Sequence, residues 1–329
     1  MPAIWLTWEV QRRNRSLAKA VGATLHEMLY SGNAVARYCV LMLRTFRVVR
    51  RARPAVIYYQ NPSLILSTLL ATLKFLRLTR ARLIGDFHNA GVNPPVARFL
   101  VPWIVRHSDL IIVSNRNLEP EIVALGGRCL SLPDPIPNLE GAHLEGAHLE
   151  VGPGAASNAE PFEVFFICSW ASDEPIVEVL RAAEIIAARR PDMVMSITGR
   201  PKLAKVGWTD PVPGNVRLTG FLAEPEFERR LLAAAVVLDL TTRADCMVCG
   251  AYEAVSAEVP MVLSDNQPTR DYFRKGALFT DNTAASIADE LIRARERHAQ
   301  LRAEVISLKS ELLAEEQVAL QRLLEFSRQ

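Results

Sequence analysis

Residues 55–89 read AVIYYQNPSLILSTLLATLKFLRLTRARLIGDFHN. Ala55–Tyr59 is β-branched and aromatic, and apolar from end to end. A run of this kind fits a strand buried on both faces rather than one with a wet side. The segment that follows is long enough for a helix. Arg82–Ile84 then begins a second strand that leads into Gly85-Asp86-Phe87-His88-Asn89. Strand, helix, strand with no hairpin turn predicts a βαβ unit, and so a parallel sheet.

The same rhythm extends in both directions. Ile4–Leu6 and Leu110–Val113 (LIIV) are further strands of a first half. Residues 132–161, LPDPIPNLEGAHLEGAHLEVGPGAASNAEP, are rich in Pro and Gly and read as a linker. EGAHL occurs there twice in tandem (140–144, 145–149), and this reads as a duplicated linker segment and not as a metal site. The pattern then restarts with strands at Val164–Cys168, Met193–Thr198, Val216–Leu218, Val236–Leu240 and Met261–Leu263. Helical patterns cover Ile176–Arg190, Glu224–Ala235 and Gly250–Ala257. Ala284–Arg328 is helical almost without interruption. The expected fold class is α/β. It has two domains, 1–158 and 159–329, each Rossmann-like, with a long C-terminal helical tail. Ligands of open parallel sheets sit at the carboxyl ends of the strands. The expected site is therefore a central cleft that the two domains face.

At 329 residues, with half of them hydrophobic and 22% charged, the composition is globular. Five scattered cysteines do not form a disulfide framework in a chain of this size. The N-terminus lacks the pattern of a signal peptide. The most apolar stretch, Leu64–Leu73, is about half the ~18 residues of a spanning helix. A cytoplasmic location is expected, peripheral on the inner face of the cell membrane. The net charge of +2 hides an asymmetry: residues 1–118 hold 17 Lys+Arg against 4 Asp+Glu, and the remaining residues 21 against 32. Arg44, Arg47, Arg50, Arg51, Arg53, Lys74, Arg77, Arg80 and Arg82 lie beside apolar helical stretches, the composition of an interfacial surface. The same pattern also fits arginines snorkelling from an ordinary core helix. Nucleic acid is not an expected partner, because no helix-turn-helix, zinc-finger or RNP signature occurs.

No GxGxxG follows a strand, and GxxxxGK[ST], HExxH and GxSxG are absent. Cys246-Met-Val-Cys249 has no second pair nearby to complete a zinc site, and reads as two small apolar residues beside a helix start. No DxD-type motif lies in a suitable loop, so neither a metal nor another cofactor is expected. Asp245 and Glu253 lie eight apart across an expected helix N-terminus, whose free N–H groups can receive phosphate. Gly250 permits close backbone approach there. His88 follows a strand and has two readings. One is a buried histidine capping the strand. The other is a catalytic-site residue, acting as base or as a contact to a donor sugar.

The stretch 219–265, with Asp245, Glu253-Ala-Val-Ser-Ala-Glu-Val-Pro260 and Met261-Val262, resembles the C-terminal half of GT-B glycosyltransferases of the family 4 group. That group carries E-x7-E here, so Asp245 is a departure. QNPSLILSTLL, LIGDFHNAG, HSDLIIVSNRNLEPEI, LPDPIP and ICSWASDEP are similar, in this order, to phrases of the chitobiosyldiphosphodolichol β-mannosyltransferase branch and its bacterial relatives. The glycine-rich first loop of the wider group is replaced by TWEVQRRNRS (7–16).

The resemblance implies transfer of a hexose from a nucleotide sugar, GDP- or UDP-linked, to a saccharide acceptor that is lipid-linked or otherwise membrane-associated. The setting it implies is polysaccharide or glycan assembly at an anionic membrane surface. It implies that Glu253 binds the ribose, Asp245 the transferred sugar, and the amides of Cys249, Gly250 and Ala251 the diphosphate. Gly199, Arg200 and Lys202 would stabilise the leaving diphosphate, with Ser169 and Trp170 beside the donor. His88 would act in catalysis, with Asn61, Asp86 and Asn89 on the acceptor side. The alternative is a non-catalytic sugar-nucleotide- or glycan-binding protein on the same scaffold.

Overall fold

The computed structural model describes residues 2–61, 63–139, 161–244 and 246–329. These fall into two compact units, Met1–Pro135 with Ala314–Gln329, and Ile136–Leu313. The domain boundary expected at 158/159, the tandem EGAHL and most of the linker lie outside the described residues, as does Asp245.

In the first unit the chain runs β1 (Ala3–Thr7), α1 (Arg12–Ala20), β2 (Thr24–Glu27), α2 (Ala34–Ala52), β3 (Val56–Asn61), α3 (Leu64–Phe75) and β4 (Arg82–Phe87). It continues through α4 (Asn89–Val92), α5 (Val101–Arg106), β5 (Leu110–Val113), α6 (Glu119–Ala124) and β6 (Cys129–Ser131). The sheet order is β2-β1-β3-β4-β5-β6, parallel throughout. β3 is buried at every position. Successive side chains of a strand point to opposite faces. Ile57 and Tyr59 accordingly join Leu66, Leu70 and Leu83 in one core, while Val56 and Tyr58 join Trp5, Leu17 and Ile112 in the other.

The second unit repeats the design. It contains β7 (Phe162–Phe166), α7 (Ile176–Arg189), β8 (Met193–Thr198), α8 (Leu203–Val206), β9 (Val216–Gly220), α9 (Glu224–Ala233) and β10 (Val236–Asp239). After these come α10 (Cys249–Ala257), β11 (Met261–Ser264), α11 (Gln267–Tyr272), β12 (Ala277–Thr280), α12 (Ala284–Glu296) and α13 (His298–Arg328). The order is β12-β11-β10-β7-β8-β9, again all parallel. Val164 and Phe166 face one core and Phe165 the other.

Two details differ from the sequence expectation. The helical tail is broken at Arg297 into α12 and α13. The end of α13 also belongs to the first unit and not to the second. Leu301, Val305, Leu308 and Leu312 are buried in the second unit's cores, whereas Leu323 is buried against Trp5, Tyr58 and Leu132 of the first. Ser327 Oγ lies 2.6 Å from the Tyr58 hydroxyl, and Arg82 Nη1 donates to the Phe326 carbonyl at 2.6 Å. The described end of the linker is held as well: Leu132 is fully buried, and Ser256 Oγ donates to the Pro137 carbonyl at 2.6 Å.

Candidate functional site

Each strand order reverses once, between β1 and β3 in the first sheet and between β7 and β10 in the second. Crevices at such reversals, outside the carboxyl ends of the strands, are where open α/β sheets bind ligands.

At the first reversal, Arg13 enters from the first turn of α1 and is 6% exposed. Its Nε donates to Asp86 Oδ2 at 2.9 Å and its Nη2 to Asp86 Oδ1 at 2.8 Å. The remaining donors reach the Leu132 carbonyl (2.8 Å) and Asp134 Oδ1 (2.9 Å). Burial alone would raise the Asp86 carboxyl. The guanidinium, with His88, more than offsets that and holds Asp86 well below the usual carboxylate range. His88 Nε2 lies 3.7 Å from Asp86 Oδ2, within ion-pair range but too far for a hydrogen bond. Beside this pair, Gln60 Oε1 accepts from Thr7 Oγ1 (2.6 Å) and Asn14 Nδ2 (2.8 Å), and Asn14 Oδ1 accepts from Trp5 Nε1 (3.0 Å).

Five buried polar atoms here have no hydrogen-bond partner among the described residues: Gln60 Nε2, Asn61 Oδ1, His88 Nε2, Asn115 Oδ1 and Ser131 Oγ. They come from the carboxyl ends of β3, β4, β5 and β6, or from the residues just beyond. Asn115 Nδ2 reaches Asn89 Oδ1 at 3.3 Å, and Asn61 Nδ2 the Gly91 carbonyl at 3.3 Å, so each amide is half satisfied. Native interiors leave few such groups unpaired. Five along the carboxyl ends of four adjacent strands leave hydrogen-bonding capacity unused at this edge of the sheet. The structure thus brings Asn61, Asp86, His88 and Asn89 to one edge. Arg13, Asn14, Gln60, Asn115 and Asp134 are members that the sequence reading missed. Arg13 and Asn14 lie in TWEVQRRNRS, the segment that departs from the glycine-rich pattern.

The second reversal is acidic. Asp239 ends β10, is 7% exposed, and accepts the Gly250 N–H at 2.7 Å. Burial pushes its carboxyl well above the ordinary value. The Gly250 amide opposes this, and the neighbouring negative charges of Glu174 and Glu253 add to it. A Cβ on Gly250 would stand 2.5 Å from Asp239 Oδ2, so the glycine is needed for this internal contact. Of the amides assigned to a diphosphate, that of Gly250 is therefore occupied by the chain's own carboxyl group. Ala251 is fully buried, and Cys249 is exposed.

The loop after β7 is closed on itself by Glu174. One oxygen accepts the Ser169 amide and hydroxyl, both at 2.9 Å, and the other the Ala171 amide at 2.7 Å. Trp170 is 1% exposed, and its indole donates to the Thr198 carbonyl at 2.9 Å. It is a core residue, not a surface offered to a donor. Gly199, at φ +80°, packs so close that a Cβ would lie 2.3 Å from the Cys168 carbonyl. Arg200 and Lys202 are exposed, the Arg200 guanidinium 5.9 Å from the Phe221 ring centre. Asp173 pairs with Arg243 at 3.1 Å and accepts from Thr241 Oγ1 at 2.9 Å. Burial raises the Cys246 thiol, the reverse of what a reactive cysteine needs. No cluster of three or more His, Cys, Asp or Glu able to hold a metal ion occurs among the described residues.

No family model and no curated protein matches the chain. Solved structures do. HepE (Alr3699) of Anabaena, in complex with UDP and glucose, is 12% identical over 98% of this chain and 91% of that one, with a TM-score of 0.67. The fold is GT-B. The α,α-trehalose 6-phosphate synthase of Burkholderia multivorans is 13% identical over 91% of this chain and 77% of its own, with a TM-score of 0.67. A protein assigned as a UDP-N-acetylglucosamine 2-epimerase, from Listeria monocytogenes, is 12% identical over 98% and 94%, with a TM-score of 0.62. The GT-B fold thus carries more than one nucleotide-sugar chemistry. The narrower resemblance to the β-mannosyltransferase branch rests on the sequence phrases alone.

Proposed function

We propose that the chain is a glycosyltransferase moving a hexose from a nucleotide sugar to a saccharide hydroxyl. The observation that carries this reading is the row of unpaired buried polar atoms around Asp86 and His88. In the proposed reaction the acceptor oxygen attacks the anomeric carbon, the bond to the diphosphate breaks, and the acceptor proton passes to His88. Asp86, 3.7 Å from Nε2, stabilises the imidazolium that forms by its charge. Arg13 holds Asp86 in place. Glu253, near Asp239 on α10, binds the ribose hydroxyls. Arg200 and Lys202 meet the charge developing on the leaving diphosphate. The HepE complexes with UDP and UDP-glucose favour a uridine donor over a guanosine one.

The acceptor is lipid-linked and the enzyme works on the inner face of a membrane, in polysaccharide or glycan assembly. Support comes from exposed Arg44, Arg47, Arg50 and Arg51 on α2, and from Phe75, Leu76 and Leu78, each roughly half exposed or more at the end of α3. No helix of the described residues is long and apolar enough to cross a membrane.

A second reading, a binding protein without turnover, is favoured by one observation. Glu174 and Asp239 occupy amides at the edge where a diphosphate would bind.

A thermal-shift panel with UDP, GDP, ADP, dTDP and CMP tests the donor site. One nucleotide is expected to raise the melting point selectively, and Glu253→Ala to abolish the shift. Turnover of the matching nucleotide sugar then separates enzyme from binding protein. A panel with no shift removes the Glu253 assignment.

A further inference from the structure

A separate concavity lies at the opposite edge of the first sheet. Arg82 opens β4, Asp109 immediately precedes β5 and Arg128 immediately precedes β6, so it sits at the amino ends of these strands. It encloses about 370 Å³, and Arg82, Arg106, Arg128, Asp109, Phe326 and Gln329 are among the residues that line it. That volume is in the range of small-molecule sites.

Its charge is unbalanced. The Asp109 carboxylate is bound by the Lys74 ammonium and accepts the Leu83 amide at 2.7 Å, so it is already neutralised. Arg82, Arg106 and Arg128 have no carboxylate partner among the described residues. The geometry is partly preset. The guanidinium groups of Arg128 and Arg82 lie 4.8 Å and 5.8 Å from the Phe326 ring centre, and Arg82 is also tied to the Phe326 carbonyl. Arg128, held against the ring, keeps its in-plane N–H fork, and Arg82 keeps the donors that the Phe326 carbonyl does not use; guanidinium forks match phosphate oxygens two at a time.

We propose that this pocket binds a phosphate-bearing anion, either a free phosphate compound or a lipid headgroup. It is distinct from the proposed acceptor edge, because the strands separate the two ends of the first sheet. It does not depend on the reaction proposed above. Binding fastens the end of α13 to the first unit, since Phe326 belongs to that helix.

The test uses the full chain and the double variant Arg106→Gln/Arg128→Gln, whose changes are both at exposed positions. Inorganic pyrophosphate is titrated by calorimetry, and flotation is run with vesicles of phosphatidylcholine, with and without phosphatidylglycerol. Pyrophosphate is expected to bind the parent at least tenfold more tightly than the double variant. If pyrophosphate also displaces the parent from anionic vesicles, and the double variant floats less, the source is a headgroup. Equal flotation of both proteins assigns a soluble phosphate. Pyrophosphate affinity and flotation both unchanged in the double variant would overturn the proposal, as would a parent that binds neither probe.

Discussion

Arg13 and Asp86 show how much a single buried pair can govern at the site. Both are almost wholly out of water, and each is the other's main source of charge compensation. Truncating one partner leaves an unpaired buried charge, which costs about 3–5 kcal/mol. Arg13→Met is expected to lose that much in denaturant unfolding, and Arg13→Met/Asp86→Leu to recover most of it. A double variant no more stable than the single one would show that the pair does not compensate in this way. Asp239 makes the opposite case. Its folded pKa is raised, so its protonated form is favoured by folding. The stabilisation it brings is complete below the unfolded value of 3.8, and is lost as pH rises through the folded value. Asp239→Asn keeps an acceptor for the Gly250 amide but cannot ionise. Its stability relative to the parent is therefore expected to rise as the pH increases above 3.8. Asp239→Ala leaves that amide unpaired at a cost of about 1–3 kcal/mol. A parent-to-Asn difference independent of pH would mean that folding does not raise the Asp239 carboxyl. Neither pair was legible in the sequence. Arg13 sits among four basic residues within Arg12–Lys19, and nothing local marks it as the buried one. His88 drew notice because it follows a readable strand, and Glu253, in the middle of α10, because of its spacing from Asp245.

Among the elements, the central strands were read from their unbroken apolar runs, and three edge strands were not. β2 is Thr-Leu-His-Glu and is only partly buried, β6 has three residues, and β12 pairs on one side only. A strand with one neighbour has no need of the apolar composition that made β3 and β5 visible. The long tail was visible as helix. The Arg297 break and the destination of the far end were not, because both depend on tertiary packing and not on period. Leu323 is the buried anchor of that far end, and Leu313, ten residues earlier, is 44% exposed. Leu323→Ala is expected to cost about 2–5 kcal/mol by leaving a cavity against Tyr58 and Leu132. Leu313→Ala is expected to stay within about 0.5 kcal/mol. Equal effects at the two positions would mean that the helix end does not pack on the first unit in solution.

For the molecule as a whole, the charge asymmetry of the sequence acquires a direction in the first unit. Arg50, Arg51 and Arg53 precede β3, and Arg77 and Arg80 precede β4, so these exposed cations collect at the amino ends of the strands. Asp86 and His88 are at the carboxyl ends. A strand as long as β4 separates the two edges by about 20 Å, at roughly 3.3 Å per residue. On the proposed assignment of Asp86 and His88, the basic edge is therefore separate from the acceptor subsite. If it meets a membrane, it does so as a docking surface that leaves the opposite edge open to a saccharide. The two roles then come apart in experiment. Each basic residue near an anionic surface contributes about 1 kcal/mol, so Arg50→Gln/Arg51→Gln is expected to weaken partition onto phosphatidylglycerol vesicles by about thirtyfold. Raising the salt concentration should lower the partition of the parent in the same direction, as screening requires. Turnover on a water-soluble acceptor should be unchanged in that variant, whereas His88→Ala should lose turnover and keep its partition. Loss of both properties in the arginine variant would place the basic edge at the acceptor after all, and would reverse the orientation argued from the strand ends.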